Sequence, residues 1–96
     1  MPFAIVLAPE AVDDLKRLKA VVRGAVKGAI ETHLRHEPEK TSRSRIKRLR
    51  GLSRPQYRLR VGDIRVFYDV AEGMVEVLAI VPKSETAAWL AQFGKL

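Results

Sequence analysis

The stretch YRLRVGDIRVFYDV, from Tyr57 to Val70, decides the fold because it encodes a β-hairpin. Two runs rich in aromatic, β-branched and arginine residues flank Val61-Gly62-Asp63, where Gly62 can adopt the positive φ of a tight turn. Side chains alternate between the two faces of a strand. One face is therefore predicted to carry Tyr57, Leu59, Val61, Ile64, Val66 and Tyr68, and the other Arg58, Arg60, Arg65, Phe67 and Asp69.

Arginines at fixed spacing on one face of a sheet are suited to binding phosphate groups. The alternative is that they are ordinary solvated charges on a strand. The distribution of charge favours a ligand. The segment from Lys40 to Arg65 contains ten Lys or Arg residues and one acid, whereas the rest of the chain has eight bases and ten acids. Such segregation indicates a polyanionic partner, either a nucleic acid or an acidic protein segment.

Length and composition restrict the fold and the chemistry. The 96 residues predict a single domain, 1–96. The chain has no cysteine, which excludes disulfides, thiolate metal sites and a thiol nucleophile. His33 and His36 have no third ligand nearby, so we expect a surface or helix-end role for them and neither a metal site nor a cofactor.

The apolar segments of the sequence indicate where in the cell the protein is located. The longest apolar run is far shorter than the roughly 20 residues of a membrane span. The first ten residues, MPFAIVLAPE, lack the basic region of a signal peptide. We therefore expect a cytoplasmic protein that does not bind membranes.

The residues before the hairpin predict one strand and two helices. Phe3 to Leu7 is apolar throughout, which favours a strand covered on both faces inside a sheet. Pro9 and Glu10 suit the first turn of a helix of about ten residues. Apolar residues recur every fourth position from Val21 to Arg35 and predict a second helix. The weak break near Lys19-Ala20 leaves one kinked helix as an alternative.

The remaining segments predict a basic loop, a turn, a strand and a short helix. We expect Lys40 to Arg54 to form an ordered loop pinned by its large apolar residues, Ile46, Leu49 and Leu52. Glu72-Gly73 predicts a second tight turn before a buried strand, Met74 to Val81, that pairs with the first strand. The tail predicts a helix that begins near Ser84 and ends at Gly94.

The order of these elements and three short motifs identify a resemblance. The motifs are Leu49-Arg50-Gly51-Leu52, Tyr57-Arg58-Leu59-Arg60 and Ile64-Arg65-Val66-Phe67-Tyr68. With the closing apolar strand, they make nearly the whole chain resemble the RelE/ParE toxin superfamily; their order and spacing carry the resemblance, since no motif is diagnostic alone. It implies an α+β domain, β-α-α-β-β-β-α, with a twisted, mainly antiparallel four-stranded sheet. It also implies two N-terminal helices packed on one face and a short C-terminal helix.

The resemblance implies a toxin of a type II toxin-antitoxin system. In the RelE branch the toxin enters the ribosome and cleaves messenger RNA by attack of a ribose 2′-hydroxyl group. The implied partners are the ribosome, messenger RNA and a cognate antitoxin with an acidic or amphipathic C-terminal segment, with operator DNA bound only through the antitoxin complex. Two alternatives stay open: a ParE-type poison of DNA gyrase, and an inactive member that binds only its antitoxin and operator.

The resemblance also implies site residues. Carried over by position, the catalytic residues are Arg58, Arg60, Arg65 and Lys83, and Trp89 stands where the family usually has a tyrosine. The residues expected to contact RNA are Lys47, Arg48, Arg50, Arg54, Tyr57 and Trp89. Because arginine stays protonated, proton transfer is left to Lys83, Tyr57 or Glu85, of which Glu85 is the candidate general base.

Overall fold

The computed structural model describes all residues, 1–96, as a five-stranded sheet with helices on both faces. The elements are β1 (Ala4–Leu7), α1 (Pro9–Arg17), α2 (Ala20–Leu34), β2 (Ile46–Arg48), β3 (Tyr57–Val61), β4 (Ile64–Ala71), β5 (Met74–Pro82), a 3-10 turn (Lys83–Glu85) and α3 (Thr86–Phe93). The strand order is β1-β5-β4-β3-β2, in which only β1 and β5 are parallel. The predicted α+β class is confirmed, with one strand more than expected. None of the helices is long and apolar enough to cross a lipid bilayer.

The predicted hairpin is formed by β3 and β4 around a two-residue turn, Gly62-Asp63. Gly62 has a φ of 57°, which an L side chain rarely adopts. Leu59 lies opposite Val66, and Arg60 lies opposite Arg65. The two faces of the hairpin therefore carry the residues that the alternation predicted.

Both N-terminal helices pack on the apolar face of the sheet, as expected. Val26, Ile30 and Leu34 of α2 are buried with Leu15 of α1. Their partners on the sheet include Leu59, Val66, Tyr68, Val75, Val77 and Ile80. Each fully buried aliphatic side chain contributes about 1.5–3 kcal/mol relative to exposure, so this layer supplies most of the apolar stabilisation.

The two helices are separate, which settles the alternative of one kinked helix. Leu18 and Lys19 between them have extended backbone, with ψ values of 148° and 150°. The helical hydrogen-bond pattern is therefore interrupted for two residues, and α2 begins at Ala20.

The opposite face of the sheet has a smaller apolar cluster under α3. Phe67, Ala79 and Val81 are buried there, and they pack against Leu49, Trp89 and Leu90. The indole ring of Trp89 stacks on the ring of Phe67 at a centroid distance of 4.9 Å. The C-terminal helix thus covers the part of this face formed by β4 and β5, while the part formed by β2 and β3 stays open.

Two predictions about strands were wrong. β1 lies at the edge of the sheet and not inside it, and Val6 is 45% exposed. The strand is only four residues long and pairs with β5 alone, so its outer edge has no partner. The segment predicted as a loop contains β2, because Ile46 is buried opposite Leu59 and the next two residues continue the ladder.

One buried hydrogen bond provides a test of the core. The hydroxyl of Tyr68 donates to the carbonyl oxygen of Pro38 over 2.7 Å, and burial raises the pKa of this phenol. We expect Tyr68→Phe to lower the free energy of unfolding by about 1–3 kcal/mol, because the buried carbonyl loses its donor. Urea unfolding of both proteins measures the difference.

The neighbouring tyrosine provides the control. The rings of Tyr57 and Tyr68 stack at 5.4 Å, but the hydroxyl of Tyr57 bonds to no group in the chain. Tyr57→Phe should therefore change the unfolding free energy by less than about 0.5 kcal/mol. Equal losses in both variants would show that the bond to Pro38 contributes nothing specific.

Candidate nucleic-acid interface

Three arginines on the face of the sheet opposite the N-terminal helices form what we term the arginine cluster: Arg58, Arg60 and Arg65. Arg60 and Arg65 lie directly opposite each other on β3 and β4, and Arg58 shares their face two residues away from Arg60. Like charges placed directly opposite each other across a ladder destabilise a sheet. A folded chain that keeps this arrangement has a site where an anion would be favourable.

The electrostatic repulsion within the arginine cluster is clearest at Arg58. Burial, and then the charges of Arg65 and Arg60, lower the pKa of its guanidinium group. Its Nε atom is buried and has no hydrogen-bond partner. A buried donor without an acceptor is rare in folded proteins, and Nε of Arg23 on α2 is the other such atom in this chain.

Arg65 is held by the hairpin turn. Only 6% of this residue is exposed, and its Nη1 atom donates to the carbonyl oxygens of Gly62 and Ile64, at 2.9 and 3.1 Å. Both bonds use the same nitrogen, so Nε and Nη2 keep their protons for a ligand. The turn therefore fixes this guanidinium beside Arg60.

Two lysines flank the arginine cluster. Lys47 lies opposite Arg58 on the exposed strand β2. Lys83 is exposed directly after β5, and its backbone N–H donates to the carbonyl oxygen of Asp63 over 2.8 Å. This bond ties the start of the 3-10 turn to the hairpin turn, so Lys83 lies at the same end of the sheet as Arg65.

Three of the residues expected to contact RNA are directed elsewhere. Tyr57 is 8% exposed and belongs to the apolar face that the N-terminal helices cover. The guanidinium of Arg48 lies 5.0 Å from the centre of the Tyr57 ring. Arg54 forms ion pairs with Asp69 at 3.0 Å and Glu76 at 3.1 Å, so its charge is compensated inside the chain. The structure therefore does not bring these side chains to the arginine cluster.

Trp89 packs between α3 and the sheet on Phe67, and Glu85 lies in the 3-10 turn before α3. They line a cavity of about 450 Å³ that also includes Asp14 and Arg17 of α1. Val81, which lies opposite Arg65 on β5, also lines this cavity. Glu85 forms no ion pair with any residue of the arginine cluster. No group of three or more His, Cys, Asp or Glu side chains is placed to hold a metal ion.

Arg45 was missed by the sequence analysis. Its carbonyl oxygen accepts the backbone N–H of Arg60 over 2.8 Å, which continues the ladder beyond the end of β2. The basic segment before β2 therefore lies alongside the arginine cluster. The only signal in the sequence was the density of basic residues, which does not show which of them adjoin the hairpin.

A family model described as the ParE toxin of the type II toxin-antitoxin system, parDE, matches residues 5–87. The chain belongs to this family. The ParE-family toxin is accordingly a member of the RelE/ParE superfamily, as its motifs predicted, and is the toxin of a type II toxin-antitoxin system. No curated protein sequence matches it.

Solved structures of RelE-type complexes share the fold of this ParE-family toxin. The toxin-antitoxin complex RelBE2 from Mycobacterium tuberculosis superposes with a TM-score of 0.73 at 23% identity, covering 85% of this chain and 99% of that one. The RelB-RelE complex from Methanococcus jannaschii gives 0.66 at 21%, covering 88% and 96%. The RelE-RelB complex from Pyrococcus horikoshii gives 0.70 at 23%, covering 86% and 97%. Identity this low shows a common fold alone.

Because the three arginines repel one another, we expect that removing one of their charges stabilises the fold. Arg58→Met keeps the length of the side chain and removes a partly buried cation from beside two others. We expect the free energy of unfolding to rise by about 1 kcal/mol, as surface-charge optimisation commonly achieves. Chemical denaturation at low ionic strength is the measurement.

The control is Arg50→Met, which removes the same charge from an exposed position outside the arginine cluster. It should leave the unfolding free energy nearly unchanged. A loss of stability in Arg58→Met would show that contacts of the guanidinium outweigh the repulsion.

Proposed function

We propose that the toxin is a ribosome-dependent messenger RNA endonuclease that a cognate antitoxin neutralises. The observation that carries the proposal is the arginine cluster, in which Arg58 and Arg60 lie on the part of the sheet face that α3 leaves open. Arg54, in contrast, is compensated by two acids of the chain. Cations left without internal acids are suited to binding the phosphates of RNA.

The proposed reaction is attack of a ribose 2′-oxygen on the adjacent phosphorus. The new P–O2′ bond forms as the P–O5′ bond breaks, giving a 2′,3′-cyclic phosphate and a 5′-hydroxyl group. Negative charge accumulates on the phosphoryl oxygens in the transition state. Preorganised guanidinium groups from Arg58, Arg60 and Arg65 stabilise that charge, the electrostatic effect that is usually the largest in catalysis.

We assign proton transfer to Lys83, which is exposed at the same end of the sheet as Arg65. Tyr57 is buried under the N-terminal helices, and Glu85 lines a cavity with Asp14 and Arg17 of α1. The exposed ammonium group of Lys83 donates a proton to the leaving 5′-oxygen, and solvent water accepts the proton of the 2′-hydroxyl. The arginines remain protonated throughout.

The proposed partners follow from the family. The antitoxin supplies an acidic or amphipathic C-terminal segment, and operator DNA is bound only through the toxin-antitoxin complex. The printed descriptions of three structural neighbours as RelE-RelB complexes support an antitoxin partner. The ribosome and messenger RNA are the proposed targets, which places the activity in the cytoplasm.

One observation favours a second function, poisoning of DNA gyrase. The arginine cluster contains no group that can accept a proton, and the matching family model is that of parDE toxins. In that function the basic face binds its target without cleaving RNA.

Measuring messenger RNA cleavage by a variant that lacks one exposed arginine distinguishes the two functions. Arg60 is exposed and its side chain bonds to nothing in the chain, so Arg60→Ala should fold normally. Primer extension on a reporter message in a reconstituted translation reaction should show cuts that require ribosomes. The variant should cleave about 10²-fold more slowly, the usual effect of removing one oxyanion donor.

The matched control is Lys27→Ala, which removes one exposed charge from α2. It should cleave like the unmodified toxin. Intact message together with loss of gyrase supercoiling activity would overturn the endonuclease and establish the second function.

A further inference from the structure

A pocket lies between the C-terminal end of α2 and the start of β2, and we term it the helix-end pocket. Its volume is about 250 Å³, room for about eight water molecules at roughly 30 Å³ each. A hydrated phosphate group therefore fits inside. The side chains that matter for its chemistry are His33, His36, Glu37, Lys40, Ser42 and Arg45.

Hydrogen-bond donors dominate the helix-end pocket. The Oγ atom of Ser42 accepts the backbone N–H groups of Arg45 and Ile46, at 2.9 and 3.2 Å, so its own proton is free to donate. Arg45 forms none of the ion pairs in the chain. The one carboxylate, Glu37, lies 3.7 Å from the ammonium group of Lys40. The pocket thus offers several cationic donors to an anion.

A second cavity continues the helix-end pocket along the outer edge of β2. The two cavities share Thr41, Ser42 and Ile46, and the second is also lined by Lys47, Arg48 and Arg50. Lys47 lies opposite Arg58, and the carbonyl oxygen of Arg45 accepts the N–H of Arg60. A continuous band of positive charge therefore runs from the end of α2 to the arginine cluster.

We propose that the helix-end pocket binds a phosphate group of a nucleic-acid backbone, as a separate binding site outside the arginine cluster. This inference goes beyond the proposed cleavage, because it concerns binding and requires no reaction. Nothing in the pocket can contact a base selectively, so it recognises the phosphodiester chemistry that RNA and DNA share.

The lining favours a nucleic acid over an acidic protein segment. Ile46 is the one hydrophobic residue that lines either cavity. A protein interface needs an apolar centre, whereas binding of a phosphate backbone is driven by release of its counterions. The two polar cavities, lined by four basic residues that form no ion pair (Arg45, Lys47, Arg48 and Arg50), fit binding of a phosphate backbone.

His33 adds a dependence on pH. Burial and the charge of Arg45 lower the pKa of its imidazole below the usual 6.5, so it is largely neutral above pH 7. The groups that face it are His36, Glu37, Lys40 and Arg45. A bound phosphate stabilises the protonated ring, and binding should strengthen as the pH falls from about 7.5 to about 5.5.

The test is binding of fluorescently labelled single-stranded RNA and of DNA of the same sequence to the full chain without ribosomes. Arg45→Ala should raise the Kd several-fold. The slope of log Kd against log salt should become shallower by about 0.7, the value for one phosphate contact on a single strand. His33→Gln should reduce the strengthening at low pH, and removing His36 as well should abolish it.

Lys16→Ala is the matched control, because it removes one exposed charge from α1, which packs on the opposite end of the sheet. Equal changes in Kd for Arg45→Ala and Lys16→Ala would overturn the proposal, since net charge alone would explain them. Binding of a polyglutamate peptide that needs Arg45, with RNA and DNA unaffected by the variant, would assign the pocket to a protein segment. Binding of RNA and DNA is measured without ribosomes, so it does not depend on whether the toxin cleaves messenger RNA. Each of the two proposals can therefore be disproved without the other.

Discussion

The pairing of β3 with β4 is the constraint on which the rest of the structure depends. Its two-residue turn fixes the register, and the register decides which side chains share a face. A shift by one residue would place the arginines under the N-terminal helices and Leu59 and Val66 in solvent. The same strand pair therefore determines both the core and the charged surface. Burial of its apolar side chains under the N-terminal helices holds three arginines together on the opposite face.

The hairpin, the helices and their order followed from sequence because each depends on local patterns. Alternation and a turn glycine specified β3 and β4, and helical spacing of apolar residues specified α2. β2 was hidden because only Ile46 in that segment is buried, and a three-residue strand has too few alternations to recognise. The pairing of β1 with β5 was predicted, but periodicity does not show whether a further strand lies on the outer side of β1.

The candidate site was predictable on the strands and less so outside them. The clustering of Arg58, Arg60 and Arg65 follows from alternation, whereas the partners of Arg54 are distant in sequence and could not be inferred. The same holds for Glu85, whose direction depends on how α3 lies across the sheet. Tyr57 shares a strand with the arginines, but its side chain is on the opposite, buried face. The family resemblance assigned it to the RNA-binding residues without taking the face into account.

The unpartnered donor of Arg58 has an evolutionary consequence. A residue that weakens the fold is retained only while selection acts on what it does. If a lineage stops using the toxin, substitutions that replace this arginine by a neutral residue face no penalty in protein abundance and can even increase it. Decay of activity would then begin in the basic row of the hairpin, while the apolar row persists and keeps the descendants recognisable as the same fold.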